Sequence, residues 1–240
     1  MYNICKEYNT EANIDTNGAL NDVPDATEID AKYKDAIEYC YYIGLLTGGE
    51  EGSFRPTDTL TRAEAATVLR KTCYWCQASE TRRTTLIDAG LNETVINQIT
   101  STLIIDNING WREENGLNRL DTKEFMNKAC MTRSEEIVTS FSPNRPDGRV
   151  GGTIYEDLFG TQMGCAENIA LSDSSFNATL AEAADIIFEG WKNSSGHNAN
   201  MLSITYYIGC GVYVNNSRVY SAVQFAGAGQ LEKAGYDSWD

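Results

Sequence analysis

Gly190-Trp191-Lys192-Asn193-Ser194-Ser195-Gly196-His197-Asn198-Ala199-Asn200-Met201-Leu202 holds the only histidine of the chain. It closes a stretch, 178–193, whose apolar residues recur at helical spacing and set Ile187, Phe188 and Trp191 toward a core. Ser194 and Ser195 lie within three residues of His197 in a Ser-Ser-Gly-His turn, with no Gly-x-Ser-x-Gly elbow around either hydroxyl. Downstream, 206–215 and 218–226 alternate apolar and polar residues across a short polar joint, the pattern of a hairpin. Upstream, Val95, Ile96, Ile99, Leu103, Ile104 and Ile108 trace a wide apolar stripe that ends at Asn115-Gly116, and a second helix is predicted over 122–140. The stretch 150–159 is mixed. Helices first and strands late point to an α+β fold or three-layer sandwich rather than a regular βαβ sheet.

A separate unit precedes this one. Asp22-Val23-Pro24-Asp25 is turn-rich, and a helix follows with Tyr33, Ile37, Cys40, Tyr41 and Leu45 on one face. Gly44 and Thr47-Gly48-Gly49 stop it. A glycine loop runs to Phe54-Arg55-Pro56. Thr61 and Glu64 then form a capping box ahead of a second amphipathic helix. Residues 77–85 are polar and aperiodic, which predicts a linker over 77–91. The expected organisation is an N-terminal segment 1–21, a helical module 22–76, the linker, a main domain 92–226, and a frayed tail 227–240.

Composition narrows the function classes. Nineteen basic against 34 acidic side chains in 240 residues give a net charge of −15, without the clustered Lys/Arg that nucleic acid requires. No run approaches the ~18 apolar residues of a membrane span. The N-terminus shows no basic and apolar leader pattern, so any signal peptide is expected to be absent from this chain. Seven cysteines are too sparse for a disulfide scaffold, and Cys73-Tyr74-Trp75-Cys76 has no second pair to complete a zinc site.

D-V-P…G-L-L-T-G-G-x-x-G-x-F-x-P…L-T-R-A-E-A-A, between residues 22 and 66, resembles one S-layer homology repeat. That resemblance implies attachment to secondary cell-wall polysaccharide, with Arg62 and Glu64 as candidate polymer contacts. Three further segments together resemble the CAP superfamily (SCP/PR-1-like) in its bacterial form. They are Glu136 through Gly148 with Phe141-Ser142-Pro143-Asn144-Arg145-Pro146-Asp147-Gly148, then Cys165-Ala166-Glu167-Asn168-Ile169-Ala170, then the His197 segment with Ile208-Gly209-Cys210-Gly211-Val212. The resemblance implies an α-β-α sandwich with a cleft of two histidines and two acidic residues. Glu136, Glu167 and His197 occupy three of those places, with Asn168 beside them as a ligand contact, and Pro143 stands where the second histidine belongs.

One imidazole short, such a cleft holds a divalent ion weakly at best, and no cofactor is expected. The expected function is an exported cell-surface binding protein, secreted or wall-associated, with an unidentified ligand in the CAP cleft and no catalysis. Two alternatives stand beside it: a hydrolase in which His197 works with Glu136, Glu167 and Ser194 or Ser195, and a lipid or sterol carrier. Cys165 and Cys210, each next to a cleft motif, are candidates for a disulfide.

Overall fold

The computed structural model describes residues 16–49 and 52–239; most of the segment 1–21, with Cys5, lies outside the described residues, as do Glu50 and Glu51 of the glycine loop. The chain divides into two compact units, Met1–Ile99 and Thr100–Asp240.

In the first unit, helices α1 (Lys34–Tyr42) and α2 (Arg62–Cys76) flank the glycine loop. The predicted capping box is present: Thr61 Oγ1 accepts from Glu64 N at 3.2 Å, and Glu64 Oε2 accepts from Thr61 N at 2.8 Å. Gly44, just past α1, has φ +79°, and a Cβ there would stand 2.6 Å from Gly90 O. That close approach involves the stretch expected to be a linker. Residues 77–91 instead carry a 3₁₀ turn (Ala78–Glu80) and helix α3 (Arg83–Asp88), with Ala78, Leu86 and Leu91 buried. Ala78, Leu86, Ala89 and Leu91 are buried without tracing a period, while Ile87 stays exposed. Asn92, just after this stretch, donates through Nδ2 to Tyr42 O at 2.8 Å, and Lys71 of α2 donates through Nζ to Gly44 O at 2.9 Å, so both are tied to the end of α1.

The division between units falls inside helix α4 (Glu93–Glu114), after Ile99. The second unit is built on a four-stranded sheet in the order β1-β3-β4-β2. Strand β1 (Asp121–Thr122) runs parallel to β3 (Tyr207–Asn215), while β4 (Arg218–Ala226) is antiparallel to both β3 and β2 (Ala166–Ser172). The predicted hairpin is therefore the centre of the sheet.

Period-two alternation sends the two faces of the sheet to different helices. Ile208, Cys210, Val212, Val219, Val223 and Phe225 pack with Ile104 and Ile108 of α4 and with Ala184, Ile187 and Trp191 of α7 (Leu180–Lys192). The opposite face meets α5 (Glu124–Thr139). There Gly209 and Gly211 let the helix backbone close on the strand, since a Cβ on Gly211 would fall 2.2 Å from the carbonyl carbon of Cys130. The result is an α-β-α sandwich.

The tail is not frayed. Helix α9 (Ala228–Ala234) follows β4, and Tyr236 and Trp239 pack tilted or edge-on against Phe125 of α5 and Phe159 of α6 (Ile154–Phe159) at centroid distances of 5.2–6.2 Å. Those aromatic anchors lie too far from any regular repeat to register as an element in the sequence. No helix among the described residues is long and apolar enough to cross a membrane.

Candidate functional site

Arg145-Pro146-Asp147-Gly148 forms the predicted turn. Gly148 N donates to Arg145 O at 2.8 Å, and Asp147 Oδ1 accepts from Arg149 N at 2.9 Å. The turn aims Arg145 back at α5. Its Nη2 and Nε donate to Glu136 at 2.6 and 3.1 Å, while Nη1 reaches Asp157 Oδ2 at 2.6 Å and Thr153 Oγ1 at 3.2 Å.

A second arginine lies deeper. Arg133, one helical turn before Glu136, has a fully buried side chain. Its Nη2 donates to Ser142 O at 2.7 Å and to Glu167 Oε2 at 3.2 Å. Nε stands 3.1 Å from Glu167 Oε1 and Nη1 3.5 Å from Glu136 Oε2. Neither of these last contacts is aligned as a hydrogen bond, so both are ion pairs that leave two buried N–H groups without a protein acceptor. Glu167 Oε1 also accepts from Gln224 Nε2 at 2.9 Å, and Gln224 Oε1 accepts from the buried Tyr155 hydroxyl at 2.7 Å. Burial raises the Glu167 carboxyl above its ordinary value, and Arg133 and Gln224 only partly offset that.

Glu136 and Glu167 are thus brought together, with a guanidinium between them. His197 is placed differently. It lies on helix α8 (Ser195–Met201), which β2 holds through Asn168: Asn168 Nδ2 donates to His197 O at 3.1 Å, and Asn168 Oδ1 accepts from Asn200 Nδ2 at 2.9 Å. Glu167 and Asn168 are neighbours on β2 and point to opposite faces. Among the described residues no hydrogen bond or ion pair joins the His197 ring to Glu136, Glu167, Ser194 or Ser195. Ser194 stands at the N-cap position of α8 without a side-chain cap bond, and Ser195 is the exposed first residue of that helix.

Zinc, which the family resemblance brings to mind, does not fit this donor set. One imidazole is present, Pro143 supplies no ligand, and both carboxylates already meet arginine nitrogens. Among the described residues no group of three or more His, Cys, Asp or Glu is arranged to hold a metal.

The expected Cys165–Cys210 disulfide is not formed; both thiols are free. Cys165 precedes β2 and Cys210 lies on β3, with β4 between those strands, so about 9–10 Å of sheet separates them. Burial pushes each thiol up to about 12.

In the first unit, Glu64 is occupied by its cap and by Arg55 Nη2 at 2.8 Å, which together hold its carboxyl down at about 2. Arg62 is exposed. Asp25, read only as a turn residue, accepts from Phe54 N at 2.7 Å and Arg55 N at 2.5 Å and so fixes the glycine loop. Arg133 and Gln224 also escaped notice. The i, i+3 spacing of Arg133 and Glu136 was the one signal in the sequence, and it says nothing of Glu167.

An α-β-α sandwich with this order of motifs defines the class of SCP-type domains. The model of the cysteine-rich secretory protein family, CAP, matches residues 105–226, just over half of the chain, and the chain belongs to that family. The S-layer homology domain model matches residues 24–66. A CAP domain beside an S-layer homology domain marks a cell-surface protein.

Similar solved structures include an outer surface protein of Borrelia burgdorferi, with 14% identity and TM-score 0.45 over 53% of this chain and 92% of that one. An extracellular protein containing an SCP domain from Bacillus anthracis has 23% identity and TM-score 0.44, over 56% of this chain and 43% of that one. No curated protein matches.

Proposed function

We propose that this is an exported bacterial binding protein, held at the wall by its S-layer homology module and presenting a CAP domain that captures a ligand without converting it. The observation that carries this is the pairing of Glu136 and Glu167 with Arg133 and Arg145. One way a His-based hydrolase prepares its base is a carboxylate that orients and polarises the imidazole, and here both candidate carboxylates are paired with arginine. Among the described residues His197 has no partner bonded to its ring that would orient it as a base, and no serine hydroxyl is bonded to it.

On the wall side, Arg62 is an exposed fork of donors at the start of α2, suited to an acidic substituent of the polysaccharide, while Glu64 shapes the loop beside it. The test uses the full chain on purified secondary cell-wall polysaccharide. Retention that weakens in Arg62→Ala supports attachment through this module, and equal retention of both proteins removes Arg62 from it. Turnover of a peptide or ester substrate that vanishes in His197→Ala overturns the non-catalytic assignment.

A further inference from the structure

Within the second unit a cavity of about 420 Å³ opens between 106–114 of α4 and 185–192 of α7. Its floor is aromatic, made by Trp111 and Phe188. The indole is held in place, because Trp111 Nε1 donates to Asn198 Oδ1 at 2.9 Å. A cation already rests on these rings: Lys192 Nζ lies 4.3 Å from the Trp111 centroid and 5.4 Å from that of Phe188, tethered by Glu189 Oε1 at 3.2 Å. The chain's own ammonium shows what the floor accepts.

The walls repeat that preference at both ends. Asp106 and Glu114 are eight positions apart on one helix, a rise of about 12 Å. Between them Gly110 leaves open space where a side chain would stand. Asp185 and Glu189 line the groove from α7, so four carboxylates and one ammonium share its lining. Asp106 shares an oxygen with Arg119 at 2.8 Å and Asp185 one with Asn107 at 2.7 Å, while Glu114 joins no ion pair among the described residues. A single ammonium would meet only one end of such a groove. A fatty acid would bring its carboxylate against the acidic rim.

We propose that this groove binds an aliphatic polyamine, its methylene runs lying on Trp111 and Phe188 and its ammonium groups meeting the carboxylates at the two ends. The site is independent of the Arg133 cluster and of catalysis.

Isothermal titration of the full chain with spermidine tests it, with butylamine and laurate as controls at low and at physiological ionic strength. Saturable one-site binding of spermidine is expected, weakened by about tenfold in the double variant Asp185→Asn/Glu189→Gln. Butylamine and laurate should give no saturation in the same range. Lys192→Gln, which clears the rings and removes the competing charge, should bind severalfold more tightly, a gain that misfolding cannot mimic. No saturable heat with spermidine, or the same affinity in all three proteins, overturns the proposal; the second outcome would assign the binding to the diffuse charge of a chain at −15.

Discussion

Two of the places where arginine meets carboxylate lie under opposite solvation. At the glycine loop of the first unit, Arg55 and Glu64 are 51% and 38% exposed, and their pairing shapes a surface loop in competition with water. Below the Arg145-Pro146-Asp147-Gly148 turn, Arg133 is fully buried, and Glu136 and Glu167 are 18% and 12% exposed. There the ions have given up most of their hydration, so each depends on the others being present. The same chemistry is optional at one site and obligatory at the other. On the strength of that contrast we read Glu136 and Glu167 as structural counter-ions.

The sharpest way to break the comparison is to remove the buried cation. Arg133→Met should cost about 3–5 kcal/mol of folding stability, because Glu167 is left buried and charged and the carbonyl of Ser142 loses its donor. Chemical denaturation followed by circular dichroism measures it. A loss under about 1 kcal/mol would mean that water, rather than Arg133, solvates these carboxylates.

Acidity separates the two sites with opposite signs. The Glu64 carboxyl lies at about 2 in the folded chain against an ordinary 4.5, because Thr61 and Arg55 bond to its charged form. Its stabilisation is complete above 4.5 and is lost as pH falls toward about 2. The difference in melting temperature between the wild type and Glu64→Gln should therefore be full at neutral pH and close across that window. Glu167 runs the other way. Its folded value is raised, chiefly by burial, so the folded state holds the proton longer and this group's contribution falls as pH rises above 4.5. Melting curves of Glu167→Gln against wild type should diverge with rising pH through that range. Parallel pH profiles for the two variants would erase the distinction between the sites.

How much of this was legible in the sequence follows from how local each interaction is. The Thr61–Glu64 box, the Arg145–Gly148 turn and the hairpin that became β3 and β4 rest on neighbours within a few positions, and each is present. The CAP and S-layer motifs carried the sandwich and the module with them. Arg133 was invisible as a counter-ion because its Glu167 contact spans 34 positions and exists only once β2 lies under α5. The Cys165–Cys210 expectation failed for the same reason in reverse: proximity of motifs in a cleft does not reveal that β4 runs between the two strands. Residues 77–91 and the tail read in the sequence as linker and frayed end because scattered anchors such as Leu86, Leu91 and Tyr236 bury as fully as a periodic stripe without displaying one.

The smallest effect is expected at the residue the sequence singled out most strongly. His197 is only half buried, and its ring takes part in no hydrogen bond among the described residues; the α8–β2 junction is held instead by the His197 backbone carbonyl and by the Asn168 and Asn200 side chains. Truncating the ring leaves every one of those bonds in place. His197→Ala should accordingly change folding stability by no more than about 0.5 kcal/mol. Asn168→Ala, which removes the bond to that carbonyl and takes from Asn200 the closer of its two acceptors, should cost about 1–3 kcal/mol. Denaturation of the two variants side by side decides the matter. If His197→Ala proved the more damaging of the pair, the ring would have to be engaged with the cleft after all, and the exposed and buried arginine clusters would no longer account for where its carboxylates are spent.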